Sequence, residues 1–263
     1  MKTALISGVA GGMGRATCEK LKSEGYRVIG LDVAEPIDAS YDFRRADLTD
    51  KGSVRKVYES LSAEGVKLDC IVNMAGIYDL NSLVEIPEEE FIRIFNVNLF
   101  GVYRMNKTFL PLLKEGGRII IVSSELAPLD PLPFTGLYGV TKSALEKYAY
   151  SLRMELQLLG YSVSVIRPGA VDTGLLEVST ARLEDFTENT DLYSYNADRF
   201  KRIVDRAEAK KVKPDAVAKK VSRALSAKRA KYVYNLNRNP LLRLLNALPD
   251  RWQNGIIKTI LTK

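Results

Sequence analysis

The chain contains no histidine, only two cysteines and one tryptophan, and no uninterrupted apolar run of the roughly 18 residues that would span a bilayer. The absence of histidine removes every Ser-His or Cys-His nucleophile scheme and every histidine metal site. The cysteines, Cys18 and Cys70, fall on a predicted helix and a predicted buried strand. Buried free thiols are therefore expected, with no disulfide framework and no zinc spacing. The sequence runs from Met1 almost directly into an apolar strand. No signal peptide is expected in front of it, and a cytoplasmic location is the default. Internal repeats and low-complexity segments are likewise missing.

What is present is an ordinary globular composition. The 263 residues are 46% hydrophobic and 27% charged, enough to bury a sizeable core in one α/β domain spanning 1–263. The formal charge of +7 is modestly basic. Basic residues gather between Lys201 and Lys231 and in the tail at Arg238, Arg243, Arg251, Lys258 and Lys263. No aromatic-interleaved basic motif accompanies them, so no nucleic-acid partner is expected. Solubility or attraction to an anionic membrane surface fits this charge equally well.

The stretch Lys2 to Asp32 organises the rest. Thr3-Ala4-Leu5-Ile6-Ser7 predicts a short buried strand, Gly8 to Gly14 a tight turn, and Arg15 to Leu21 a helix. Tyr26 to Leu31 predicts the next strand, with Asp32 at its carboxyl end. A strand feeding a glycine turn into a helix N-terminus offers unpaired N–H groups and a positive dipole end to a pyrophosphate. Asp32 would accept hydrogen bonds from the adenosine ribose and repel a 2′-phosphate, which argues for NAD over NADP. Arg15 is a phosphate contact or a solvent-facing side chain.

Further along, Tyr41 to Leu48 predicts a short third strand, and Lys51 to Glu64 a helix. Leu68 to Val72 predicts a strand that empties into Asn73-Met74-Ala75-Gly76, and Glu88 to Leu113 one long helix. Arg118 to Ser124 is the clearest β run, followed by a loop with Pro128, Pro131 and Pro133 and a helix from Leu137 to Leu159. Tyr161 to Ile166 alternates as another strand and stops at Arg167-Pro168-Gly169. Residues 173–213 read as a polar, weakly periodic excursion, a substrate loop or lid. Val212 to Ala227 predicts a helix and Lys231 to Tyr234 a last strand. The tail from Pro240 carries apolar residues at three-to-four spacing, split into two helices by Pro249. The alternation predicts a Rossmann-like, doubly wound parallel sheet of about seven strands with helices on both faces, and ligands at the strands' carboxyl ends.

Tyr138-Gly139-Val140-Thr141-Lys142 sets a phenol and an ammonium four residues apart on one helix face. Neither group is a good base alone near neutrality. A fixed cation beside the phenol favours its phenolate, which makes a general base for an alcohol or, in reverse, a general acid for a carbonyl. With the glycine turn, this resembles the short-chain dehydrogenase/reductase family in its short single-domain form, over about residues 2–175. Ser7-Gly8-x-x-x-Gly12-Met13-Gly14 matches its glycine turn, with serine for threonine. Asp47-Leu48 matches the adenine contact, and Asn73-Met74-Ala75-Gly76 its Asn-Asn-Ala-Gly. Asn98 matches its helix asparagine, Ser124 its strand-end serine, and Pro168-Gly169-Ala170-Val171-Asp172-Thr173 its motif after the sixth strand. Ser124 precedes Tyr138 by fourteen residues, one more than is usual, so Ser123 and Glu125 are neighbours to compare.

The resemblance implies roles. Tyr138 would exchange the proton with the substrate oxygen, and Ser124 would hydrogen-bond that oxygen. Lys142 would hold the nicotinamide ribose and lower the tyrosine pKa, Asn98 would hold a water linked to Lys142, and Val171 and Thr173 would fix the carboxamide. It implies an NAD-dependent enzyme interconverting a secondary alcohol and a ketone. An NADPH-dependent carbonyl reductase is the alternative, and a non-catalytic NAD-binding sensor a more distant one. Leu126, Leu129, Leu132, Phe134, Leu175 and Leu176 flank the site, with Tyr193 and Tyr195 in the long excursion. They suit a lipophilic, steroid-, retinoid- or lipid-like substrate. The tail at about 240–263 would cover the core, a subunit surface or a membrane surface. The family's dimers and tetramers imply association through the helices near 88–114 and 137–159.

Overall fold

The structure is a computed structural model that describes residues 1–36, 40–208 and 210–262, without the side chains of 175–180 and 206–208. The Leu175, Leu176 and Lys263 side chains singled out above thus lie outside the described residues.

Seven parallel strands form one sheet: β1 (Lys2–Ser7), β2 (Tyr26–Asp32), β3 (Asp42–Arg45), β4 (Leu68–Asn73), β5 (Leu113–Val122), β6 (Ser162–Pro168) and β7 (Val233–Leu236). Their order is β3-β2-β1-β4-β5-β6-β7. The direction of winding reverses between β1 and β4, the switch point at which open α/β sheets leave a crevice. Period-two alternation sorts the side chains onto two faces. Leu5, Ile71, Ile119 and Ile121 join one core cluster, whereas Ala4, Ile6, Cys70, Val72, Ile120 and Val122 join the other.

The first face is covered by α2 (Lys51–Ala63), α4 (Val102–Phe109) and α5 (Gly136–Leu156), which add Leu61, Phe109 and Leu145. The second is covered by α1 (Gly12–Ser23) and α8 (Pro214–Ser226), which add Leu21 and Val221. Local chemistry starts these helices where the sequence predicts. Asp50 caps α2 by accepting from the Gly52 N–H at 2.8 Å, and Pro214 sits at the first position of α8. Burying each large aliphatic side chain contributes about 1.5–3 kcal/mol, so the isoleucine run of β5 is a principal anchor of the sheet.

Three expectations need correction. The long helix is not continuous: α3 (Glu88–Phe95) passes into a π-helical turn, Asn96–Gly101, before α4, and a 3₁₀ turn, Leu110–Leu112, ends it. Strand β5 begins at Leu113, five residues before the expected start at Arg118, with Gly116 at φ 72° and a register shift against β4. The polar Lys114-Glu115-Gly116-Gly117 insert hides this start, because bulges carry no apolar alternation. Finally, the 173–213 excursion is helical: α6 (Gly174–Asn189) and α7 (Ser194–Glu208) form a hairpin. Its apolar residues pack on a small satellite cluster rather than on the sheet, which weakens the periodic signal. The tail does split at Pro249, into α9 (Pro240–Leu245) and α10 (Asp250–Thr262). Among the described residues no helix is long and apolar enough to cross a membrane.

Candidate active site

The predicted nucleotide residues converge on the switch point. Gly8 follows β1 with φ 74°, and a Cβ there would stand 2.7 Å from the Ala75 nitrogen. A Cβ on Gly14 would run into the Gly8 carbonyl oxygen. Only glycine lets these three backbones meet. Ser7 Oγ accepts from the Met74 and Ala75 N–H groups at 3.2 and 3.3 Å, so it ties the end of β1 to the end of β4. No side chain caps the start of α1, where Gly12, Met13 and Gly14 present their N–H groups. Gly12 in turn lies beside Thr173, whose methyl would be 3.0 Å from an added Cβ.

Asp32 ends β2, and its carboxylate accepts from Ala10 N–H at 2.9 Å and Ala34 N–H at 3.2 Å. It thereby also orders the glycine turn. Arg15 is engaged by Glu19 in an exposed pair. Asp47 folds back on Thr49 through Oδ1, and the Leu48 carbonyl accepts from Arg104. Asn73 is buried, donating to Asn106 Oδ1 at 2.8 Å and leaving its own Oδ1 unpartnered. Gly76 lies directly over Asn98 Oδ1 and Lys142 Nζ. These glycine cradles, the uncapped helix start and the acid at the end of β2 fit a dinucleotide along this edge.

Ser124, Tyr138 and Lys142 meet beside that edge. Ser124 follows β5 and sits beside the Tyr138 phenol, whose pKa its hydroxyl pulls down. Its Oγ accepts from Leu126 N–H at 3.2 Å, which leaves its proton to be donated. Ser123 Oγ is buried with no partner, and the Glu125 carboxylate turns away to accept from Asn239 N–H at 2.6 Å. Of the three neighbours, Ser124 is the one whose side chain influences the phenol. Lys142 Nζ lies 5.6 Å from the Tyr138 ring centroid and donates to the Val122 carbonyl at 3.3 Å.

Burial dominates the electrostatics here. It pushes the Tyr138 phenol up to about 12, with Ser124 pulling the other way. It pushes the Lys142 ammonium down to about 8, opposed by Glu146. Glu146 itself is held by the Arg167 guanidinium, so Lys142 has no carboxylate of its own. With the crevice as it stands, the phenol keeps its proton against the expected lowering by lysine.

Asn98 sits in the π turn, fully buried. Its Oδ1 accepts from Ile77 N–H at 2.8 Å, and its Nδ2 donates to the Ile77 carbonyl at 2.9 Å and to Thr141 Oγ1 at 3.2 Å. The amide thus holds Ile77 against α5. A π turn at this spot suits a functional segment. Pro168 ends β6, its carbonyl accepting from Glu125 N–H at 2.8 Å, and Gly169 follows, donating to the Leu236 carbonyl of β7 at 2.8 Å. Val171 bridges to Val212, and Thr173 begins α6.

Sequence reasoning overlooked several residues. Tyr78 meets Tyr138 edge-on at 4.5 Å between ring centroids. Buried Asp79 pairs with Arg182 of α6 at 2.9 Å. No periodicity connects positions so far apart. Of the expected pocket residues, Leu126, Leu129 and Leu132 face a small cavity closed by Leu242, Leu245 and Gln253 of the tail. Phe134 and Tyr193 instead join an aromatic cluster under α6 and α7, and Tyr195 is exposed.

The family described as short chain dehydrogenase matches residues 2–184. The chain is 27% identical over 252 residues to a 3-ketodihydrosphingosine reductase of Bacteroides thetaiotaomicron, covering 94% of this chain and 91% of the relative. It is 32% identical over 184 residues to the 3-oxoacyl-[acyl-carrier-protein] reductase FabG of Escherichia coli, covering 66% and 75%. A short-chain dehydrogenase/reductase of Burkholderia phymatum, solved in complex with NAD, superposes with a TM-score of 0.76 at 24% identity, covering 97% and 94%. The chain belongs to the short-chain dehydrogenase/reductase family. It is an oxidoreductase that uses a nicotinamide cofactor on alcohol or keto groups.

Proposed function

We propose that this protein interconverts a secondary alcohol and a ketone on a lipophilic substrate, with NAD preferred and Tyr138 as the acid/base. The placement of Lys142 Nζ 5.6 Å from the Tyr138 ring centroid and against Gly76 of the glycine cradle carries the reading. When bound, the nicotinamide supplies or takes up the hydride. In the reducing direction the substrate oxygen would accept from Ser124 Oγ–H and Tyr138 Oη–H. Tyr138, protonated well past neutrality, gives its proton to that oxygen as charge develops there. Lys142 Nζ, beside the ring, favours the phenolate that remains. Asp32 supports NAD, since a 2′-phosphate would meet its carboxylate. The keto group in the names of both curated relatives supports reduction of a ketone.

The tail supports the lipophilic substrate. Its Gln253, Ile257 and Leu261 face the protein, whereas Leu241, Leu244, Trp252, Ile256 and Ile260 are exposed. Exposed Arg243, Arg251 and Lys258 accompany them. This combination suits an anionic lipid surface on which such a substrate would be found. Co-sedimentation with vesicles of anionic lipid should weaken in Trp252→Glu and be absent from neutral vesicles. Equal recovery with both vesicle types would remove the surface from this reading. Exposed Phe100, Tyr103, Tyr150 and Met154 on the π turn, α4 and α5 support self-association of a cytoplasmic enzyme, measured by light scattering.

The deciding assay follows absorbance at 340 nm with NADH and a panel of lipophilic ketones, then with NAD⁺ and the corresponding alcohols. Tyr138→Phe should lower kcat by about 10²–10⁴-fold while NADH affinity stays at the parent's value. Turnover retained in Tyr138→Phe would overturn the assignment. Tight NADH binding without any turnover by the parent would favour a sensor.

A further inference from the structure

The loop before α5 contains an unusual residue. Phe134 has φ 63°, in the left-handed region that a bulky L-residue adopts only when its surroundings hold it there. What holds it is aromatic: Phe186 of α6 at 4.9 Å, Tyr193 between the two helices at 5.2 Å, and Phe200 of α7 at 5.3 Å, ring centroid to ring centroid. The Phe134 carbonyl accepts from Asn81 N–H at 2.9 Å. Thr135, the next residue, caps α5, and its carbonyl accepts from Gly139 N–H at 2.9 Å. Tyr138 is therefore hung from a turn whose backbone is set by rings on the α6–α7 hairpin.

The hairpin grips the other segment touching Tyr138 as well. Arg182 of α6 pairs with buried Asp79, next to Tyr78, whose ring lies edge-on against Tyr138. Tyr78 packs into the same cluster as Phe134, together with Leu261 of α10. The Glu85 carboxylate accepts from Thr190 Oγ1 and from the Asp191 and Leu192 N–H groups, which fastens the hairpin's far end.

We infer that Phe134 is a positioning residue through which closure of the α6–α7 hairpin sets the place of Tyr138. With the hairpin seated, three rings hold Phe134 left-handed and the first turn of α5 presents the phenol to Ser124. With the hairpin lifted, the three rings are gone and the Asn81 hydrogen bond with the Leu80 and Tyr78 contacts is left to hold a strained residue. It falls back to negative φ, and the first turn of α5 rotates Tyr138 out of reach. Proton transfer is then confined to the closed state, in which water is excluded. The inference rests on the reading of Tyr138 as the acid/base.

The test uses hydrogen–deuterium exchange on the full chain, which needs no turnover. Phe186→Ala and Phe200→Ala alter rings that touch neither Tyr138 nor Ser124. They should speed exchange in peptides covering 134–142 by about tenfold or more, in step with the hairpin, while α2 keeps the parent's rate. In the assay the same variants should lower kcat rather than raise KM alone, and should shift the pH profile of kcat. Arg182→Met loosens the hairpin without touching the rings and should give the same pattern should an aromatic variant fail to fold. A hairpin that exchanges faster while 134–142 keeps the parent's protection would overturn the coupling. Loss of the acid/base reading would appear separately, as turnover surviving in Tyr138→Phe.

Discussion

The two halves of the crevice are built on different terms. The nucleotide half, around β1, β2 and β4, is backbone against backbone. Gly8 and Gly14 allow contacts that no side chain could share, and Ser7 and Asp32 fasten the turns through main-chain N–H groups. The substrate half, α6, α7 and α10, is side chain against side chain, held by rings and by ion pairs such as Asp79–Arg182. Backbone contacts tolerate almost no displacement, whereas packed rings have alternative arrangements. In the reading proposed above, the first half seats the cofactor, and the second is the half that meets the substrate.

Substitutions should separate the halves. Gly14→Val should cost the most, at least about 100-fold in NADH affinity by fluorescence titration, since its Cβ meets the Gly8 carbonyl. Phe200→Ala should leave that affinity within about twofold; equal losses would erase the distinction.

Lys142→Met tests the seam. Turnover should vanish while stability at pH 7 rises by up to about 3 kcal/mol, because a buried, unpaired ammonium is removed. The sign with pH follows from the lysine's folded pKa of about 8, below its ordinary 10.5. Between these values the unfolded chain binds more protons, so the parent gains stability as pH rises. The advantage of the variant should therefore shrink over that window in urea titrations. A constant difference would place the charge elsewhere.

Arg182→Met should destabilise by about 2 kcal/mol in chemical denaturation, less than a fully buried pair because Arg182 is partly exposed. Burial already pushes the Asp79 carboxyl upward against the pull of Arg182. Without the guanidinium its folded pKa rises further, so the penalty is greatest near neutrality and recedes as pH falls and the acid is protonated. A penalty independent of pH would argue that Arg182 acts through packing alone.

Asp32→Ala should move the preference between NAD and NADP about tenfold toward NADP, the smallest effect, measured as a ratio of kcat/KM. Some NAD affinity should be lost as well, because the Ala10 N–H loses its acceptor. An unchanged ratio would assign the discrimination to another group.

The same contrast explains what the sequence made legible. The nucleotide half is local: a strand, a turn and a helix within Lys2 to Asp32. Its close contacts demand glycine, and glycine is visible in a sequence. Tyr138 and Lys142 were legible because one helix turn separates them. The pairing of Asp79 with Arg182 and the clamping of Phe134 by Phe186 and Phe200 were not, for they arise from packing across distant segments. The helices α6 and α7 were read as irregular because their sequence is rich in polar residues, and among the described residues of α7 only Ala197 and Phe200 are buried. The π turn escaped notice because one residue too many looks like ordinary scatter in a helical pattern.

That turn bears on how the gene can change in length. Across Asn96–Gly101 the helix holds one residue more than α geometry needs, and the buried positions Ile94, Asn98 and Val102 step by four. Deleting Val97 would restore a plain helix but swing everything on one side of the gap by about 100°. Either Asn98 would lose Ile77, or Val102, Met105 and Phe109 would leave the core. Deletions should consequently abolish activity here and be tolerated at the exposed Lys228-Arg229 turn between α8 and β7, and a library of single-codon deletions would chart that boundary directly.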